Sequence, residues 1–300
     1  MKKFIFTVAT VLIGATSFAQ DDKVYGPEAE DWALSIDATP FLNYFGNFIG
    51  GTDANAAPTW SFLTTNQQIT GKYFVSSDMA FRGSVRLGFA SVTESEMVLD
   101  RSVPFDDYPD YPELPPMVEN RMKMGMTNLG LSGGVEWRKG EGRLQGYYGG
   151  ELGVSFSSES TTYEYGNDLT LPGADNPVGV DADDDDFGTN NIGTDGFGNA
   201  SRTLESKSGG TVGFGLRGFI GAEYFILPKF SLGGEFGLGL FVMSSGASYT
   251  SVESVGNVGG DNVLGVVERE GNSSSSFGFD ADNNNTVFGP AGSIRLTFHF

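Results

Sequence analysis

Eight stretches of the chain alternate apolar and polar residues with period two, the pattern of strands whose two faces meet different surroundings. They cover about 32–44, 60–75, 79–93, 122–138, 143–163, 210–227, 229–249 and from about 287 to the end. In the third, Phe81, Val85, Leu87 and Phe89 share one face, and Arg82, Ser84 and Arg86 share the other. In the sixth, Val212, Phe214, Leu216 and Ile220 oppose Arg217 and Glu223. In the last, Ile294, Leu296, Phe298 and Phe300 oppose Arg295, Thr297 and His299. In the fourth, Met122, Met124 and Met126 fall out of phase with Leu129, Leu131, Val135 and Trp137, which predicts a bulge near Asn128.

The connections alternate as well. Residues 76–78, 139–142 and the surroundings of Pro228 read as tight turns, and 45–59, 94–121, 164–209 and 250–286 as long loops. Short turns at one end and long loops at the other are the wiring of an up-and-down transmembrane β-barrel. The expected fold is therefore all-β: an antiparallel barrel, eight-stranded, with short periplasmic turns and long acidic extracellular loops. A hairpin hidden in 164–209 or 250–286 would make it ten-stranded. The alternations outlast the 5–6 residues typical of a strand in a secreted β-sandwich. They approach the ~9–11 residues of a tilted membrane strand.

The amino terminus reads as a signal peptide. Lys2 and Lys3 precede the short apolar run 4–13, and Ser17-Phe18-Ala19 supplies small residues for cleavage after Ala19. Residues 1–19 are thus the signal and 20–300 one barrel domain. The chain has no cysteine, so neither a disulfide framework nor a thiolate metal site is expected. The last strand ends on an aromatic residue and resembles the C-terminal strand of outer-membrane barrel proteins. That resemblance makes Ile294, Leu296, Phe298 and Phe300 the expected signal for the barrel-assembly machinery. The architecture as a whole resembles the small eight-stranded OmpA/OmpX-type barrels, a porin-like class. It implies a cell-outer-membrane location in a Gram-negative bacterium, with outer-membrane lipids as surroundings.

Charge divides the chain in two. The loop regions 45–59, 94–121, 157–207 and 251–284 carry −1, −6, −9 and −5, which accounts for the −20 of the whole chain to within one charge. Such a surface repels nucleic acid and attracts divalent cations or basic ligands. The strands instead hold balanced charge on their polar face: Arg82, Arg86, Arg217 and Arg295 with Glu136, Glu151, Glu223 and Glu235. An eight-stranded interior is only wide enough for side chains to fill. These eight residues are expected to form a paired lumen network, a polar plug, with a rearranging ion gate as the alternative.

Other chemistry is sparse. Asp181, Asp183 and Asp185 alternate within an acidic run and are the calcium candidates, but no Glu stands at the twelfth position that an EF-hand loop uses. A solvated loop is the plainer reading, and no cofactor is expected. No nucleophile elbow, phosphate loop or zinc signature occurs. His299 is the only histidine and reads as an inward polar residue at the barrel base, so no catalytic residue is assigned. The expected function is a non-enzymatic surface barrel, structural or binding through its loops. A narrow channel for ions or small solutes is the alternative, and a barrel hydrolase the more distant one.

Overall fold

The computed structural model describes residues 25–51, 56–110, 112–171, 192–281, 287–289 and 293–300. The expected signal peptide and the calcium candidates Asp181, Asp183 and Asp185 lie outside these residues. Thirteen strands, rather than eight, form one antiparallel sheet. They are β1 (Trp32–Asp37), β2 (Ile69–Ser76), β3 (Met79–Leu99), β4 (Met117–Lys139), β5 (Leu144–Glu164), β6 (Ile192–Thr194) and β7 (Ala200–Lys207). The rest are β8 (Thr211–Leu227), β9 (Phe230–Ser245), β10 (Tyr249–Val258), β11 (Asp261–Glu270), β12 (Ser274–Ala281) and β13 (Ile294–His299).

Eight of the thirteen pair in a ring: β1 with β2, then β3, β4, β5, β8, β9 and β13, which returns to β1. The ring closes unevenly. β3, β4, β5, β8 and β9 are long, whereas β13 meets β1 only over Ala33–Asp37 and β9 only at Phe230–Gly234. The additional strands do not widen the ring. β7 runs down into β8, β9 runs up into β10, and β11 runs down into β12. β12 lies along Leu238–Ser245 of β9, above β13 on the same edge, and β6, β7, β10 and β11 with the upper parts of β3, β4 and β5 raise an extension above the ring. Both segments in which a hidden hairpin was considered therefore contain strands, but those strands extend existing legs.

Three sequence expectations need correction. The first strand stops at Asp37, and Thr39–Ile49 forms a helix, α1. Pro40 has no N–H for a sheet ladder but fits the first helical turn. From there the apolar residues Phe41, Leu42, Phe45, Phe48 and Ile49 follow helical spacing. The Asp37 carboxylate accepts the Thr39 N–H at 2.9 Å, and the Gly50 N–H closes the far end on the Gly46 carbonyl. Second, 60–68 is not strand; Ser61 and Thr65 tie it into a turn, and β2 begins at Ile69. Third, β4 runs in unbroken register from Met117 to Lys139, with no bulge at Asn128. Even-numbered residues face inward throughout, so Met122, buried, and Met126 point into the extension. The interior changes chemistry there; the strand does not change face.

The ring has its polar face inside. Hydroxyl pairs such as Thr70 with Ser84 at 2.8 Å and Thr297 with Ser35 at 3.1 Å line it. Large apolar side chains point outward, Phe89 at 66% exposure and Leu152 at 65% among them. Inward glycines make room for the filling. A Cβ on Gly215 would lie 2.4 Å from the Phe288 ring, and one on Gly237 would lie 2.7 Å from the Arg217 guanidinium.

Candidate functional site

The strand phases bring charged side chains from seven of the eight ring strands to the centre. Glu235 on β9 is the hub. Arg82 on β3 grips it with two hydrogen bonds, of 2.9 and 3.2 Å. Arg217 on β8 donates to it at 2.9 Å, and Arg295 on β13 approaches at 3.3 Å. Glu151 on β5 accepts from Arg217 at 2.6 Å and faces Arg82 at 3.3 Å. Below this layer, Glu136 on β4 holds Lys72 at 2.9 Å and Arg138 at 2.8 Å. Arg138 also donates to Glu223 and to the amide oxygen of Gln145. The Arg82 guanidinium carbon lies over the Phe219 ring, 4.1 Å from its centroid. All of these groups are buried. Isolated burial of such ions costs several kcal/mol each, so their mutual pairing is what makes this interior tenable.

Of the eight charges named from sequence, seven join this cluster. Arg86 sits one layer higher, where its guanidinium donates to the Asn66 carbonyl at 3.1 Å. Lys72 and Arg138 were not in the sequence-derived set. Lys72 stood on the correct polar face of its strand, and Arg138 continues the even-numbered phase of Glu136, so strict face counting would have found both.

Segments of the chain cross the lumen on both sides of this layer. Above it, 60–68 and 287–289 enter the barrel. Asn128 donates to the Phe62 carbonyl at 2.9 Å and to the Asn66 side chain at 2.7 Å; Gln68 donates to the Phe288 carbonyl at 2.7 Å. Below it, 25–31 crosses the mouth. The Arg143 guanidinium donates to the Tyr25 hydroxyl at 2.7 Å, and Lys229 pairs with Asp31 at 2.6 Å.

His299 lies buried at the base between Phe74 and Phe225, at centroid distances of 5.6 and 5.0 Å. Its Nε2 is 3.4 Å from both Glu223 and Ser231, and Ser231 donates to Glu223 at 2.5 Å. A nucleophile relay needs the acid and the serine on opposite ring nitrogens. Here both crowd the same nitrogen, the geometry of a structural hydrogen-bond cluster.

The extension is built from other materials. Tyr163 stacks on Tyr165, and Arg202 lies over Tyr165 at 4.2 Å while pairing with Glu253 at 2.5 Å. Asp195 accepts from the backbone N–H of Phe197 and Asn199, from the Asn199 amide and from the Ser254 hydroxyl, at 2.7–3.1 Å. Burial pushes its pKa up, but those four donors outweigh burial and hold it at about 2. Among the described residues no group of three or more His, Cys, Asp and Glu is placed to hold a metal ion. Nor is any helix long and apolar enough to cross a membrane.

No protein-family model and no curated protein matches the chain. Among solved structures it is similar to the outer membrane protein OprG from Pseudomonas aeruginosa at 13% identity, covering 92% of this chain and 99% of that one. The TM-score is 0.27, a superposition too loose to carry an argument.

Proposed function

We propose that the protein is an outer-membrane β-barrel with no catalytic role, closed to axial passage, whose work is done at the cell surface by its acidic extension. One observation carries this reading: the ion cluster fills the lumen from wall to wall between a folded roof and a folded floor. The outward face of the ring supports the location. Where the ring strands pair they satisfy one another's backbone hydrogen bonds, a need of any structure in lipid, and they turn Phe89, Leu152 and their neighbours toward that lipid. Trp32 against Tyr73 at 5.0 Å, and Trp137 against Tyr148 at 5.9 Å, supply the aromatic rim at the turn end. In β13, Ile294 and Phe298 point outward with the terminal Phe300, which suits a handle for the barrel-assembly machinery. The acidic extension suits divalent cations or a basic surface ligand.

In a planar bilayer the purified protein should show no steady unitary conductance. Stable, reproducible steps would overturn the closed-lumen reading in favour of a channel. The protein should fractionate with outer membranes and migrate differently on detergent gels before and after boiling. Recovery as a soluble periplasmic monomer would overturn the location.

A further inference from the structure

The strand at one end of the sheet, β11, is near-symmetric about Gly265 in its apolar residues and carries opposite charges at its two ends. Val263, Leu264, Val266 and Val267 flank Gly265, and Asp261 and Arg269 stand four residues to either side of it. We propose that β11 is a self-recognition edge: it pairs antiparallel with β11 of a second copy of this chain, about a two-fold axis at Gly265.

The edge is free among the described residues: there β11 pairs only with β10. The hairpin that joins them turns at Gly259 and Gly260, whose φ values of 67° and 103° fit a two-residue turn of type I′. Such a turn makes its flanking residues, Val258 and Asp261, a hydrogen-bonded pair, and bonded positions alternate from there. Odd-numbered residues of β11 therefore bond to β10, and Asn262, Leu264, Val266 and Glu268 turn their N–H and C=O groups outward. Proteins commonly blunt such an edge with lysine, proline or a bulge. β11 contains neither residue, and its register with β10 has no shift.

Only one class of register bonds these outward groups to themselves, that in which even residues face even residues. With Gly265 on the axis, Leu264 faces Val266 of the other copy in a bonded pair, and Val263 faces Val267. Asp261 then faces Arg269 at both ends. Neither residue makes an ion pair within the protomer among the described residues. Opposite charges facing across strands stabilise a pair, and like charges destabilise it. Shifting the axis by one residue to Val266 would lose both charge pairs. The two-fold axis of an antiparallel pair stands normal to the sheet, so the copies meet extension to extension. The strand pairing stands on its own. Only its placement, between two facing outer-membrane surfaces, rests on the surface role proposed above.

The absence of cysteine gives a direct test. On the axis, Gly265 faces its own counterpart in a non-bonded pair, with Cα atoms about 4.5 Å apart. That is within disulfide reach of ~4.4–6.8 Å. A Cβ at this position meets nothing within 4 Å, so Gly265→Cys is sterically free. Val263→Cys faces Val267 of the other copy, leaving the two cysteines roughly 13 Å apart at ~3.3 Å per residue. Under mild oxidation in detergent, the folded Gly265→Cys protein should become a covalent dimer and Val263→Cys should not. Sedimentation should show a concentration-dependent dimer. Asp261→Arg alone and Arg269→Asp alone should each sediment as monomers, and an equimolar mixture of the two should dimerise, because opposite charges then face each other at both ends. Heat-dependent gel mobility checks that each variant is folded. A monomer at every concentration, equal cross-linking at both cysteines, or a dimer that Gly265→Cys does not link would overturn the proposal. None of these outcomes would disturb the fractionation test of location.

Discussion

The lower ring and the upper extension belong to one sheet, yet they solve the same packing problem in opposite ways. The ring confines its interior and fills it with full charges; Glu235, Glu136 and Glu151 each touch two or more cations. The extension, open along the edge of β11 among the described residues, relies on stacked tyrosines, on Met122, on one ion pair of Arg202 with Glu253 and on the Asp195 carboxylate held by neutral donors. The difference teaches where charge is useful. In a narrow closed space an ion pair can be completed from several strands at once, and few waters compete. On an open sheet the same ions would be solvated and worth little.

The hub of the ring should give the largest effect. Glu235→Ala would leave Arg82, Arg217 and Arg295 short of a shared partner. A broken buried pair costs about 3–5 kcal/mol, so urea unfolding in detergent or lipid should move by that amount. A smaller loss would mean that the lumen is wet and the contrast with the extension false. Crowding the interior should come next. Gly215→Val places side chain where Phe288 already sits, and overpacking of that kind costs about 1–3 kcal/mol. It should loosen the roof and raise hydrogen exchange at 287–289 more than in β10.

The extension should answer to acid. Asp195 titrates at about 2 in the folded chain. Its unfolded value is ~3.9, so its contribution is fully present above that and is lost as pH falls through the folded value. Hydrogen exchange followed from pH 5 to about pH 2 should show β6, β7 and β10 opening before the ring, and Asp195→Asn should abolish the pH dependence. The smallest effect belongs to the exposed pair of Arg121 and Glu164, 3.3 Å apart. Glu164→Gln should change stability by about 0–1 kcal/mol. A loss as large as that of Glu235→Ala would erase the distinction between the two regions.

Most of the ring was legible because its outward and inward faces differ so sharply. Phe81, Leu87 and Phe89 against Arg82 and Arg86 fix the phase of β3 without further information. Legibility failed where that contrast faded. In the upper half of β4 the inward residues become apolar, so Met122 looked like a change of face when only the interior had changed. α1 was hidden by apolar residues dense enough to satisfy either period, although Pro40 carried the signal against a strand. β10 and β11 lie in glycine-rich acidic sequence without the sharp two-faced alternation of the ring strands, and in β12 that alternation is only Phe277 and Phe279 long. The inward course of 60–68 and 287–289 has no periodic signature at all. Arg138 was missed for a different reason: it stands beside a turn, where alternation normally lapses.

The last strand lends the ion cluster a second meaning, one that concerns assembly. β13 brings Arg295 to Glu235 and His299 to Glu223 while closing the sheet between β9 and β1. A slip of one residue in that strand would turn Arg295, Thr297 and His299 outward and drive Leu296 and Phe298 into the ions. A closure out of phase by one residue therefore strands charge on both sides of the wall, and closure in the native phase balances it. The lumen acts as proofreader of the seam, checking in the last step of folding that the two ends of the sheet have met in the correct frame.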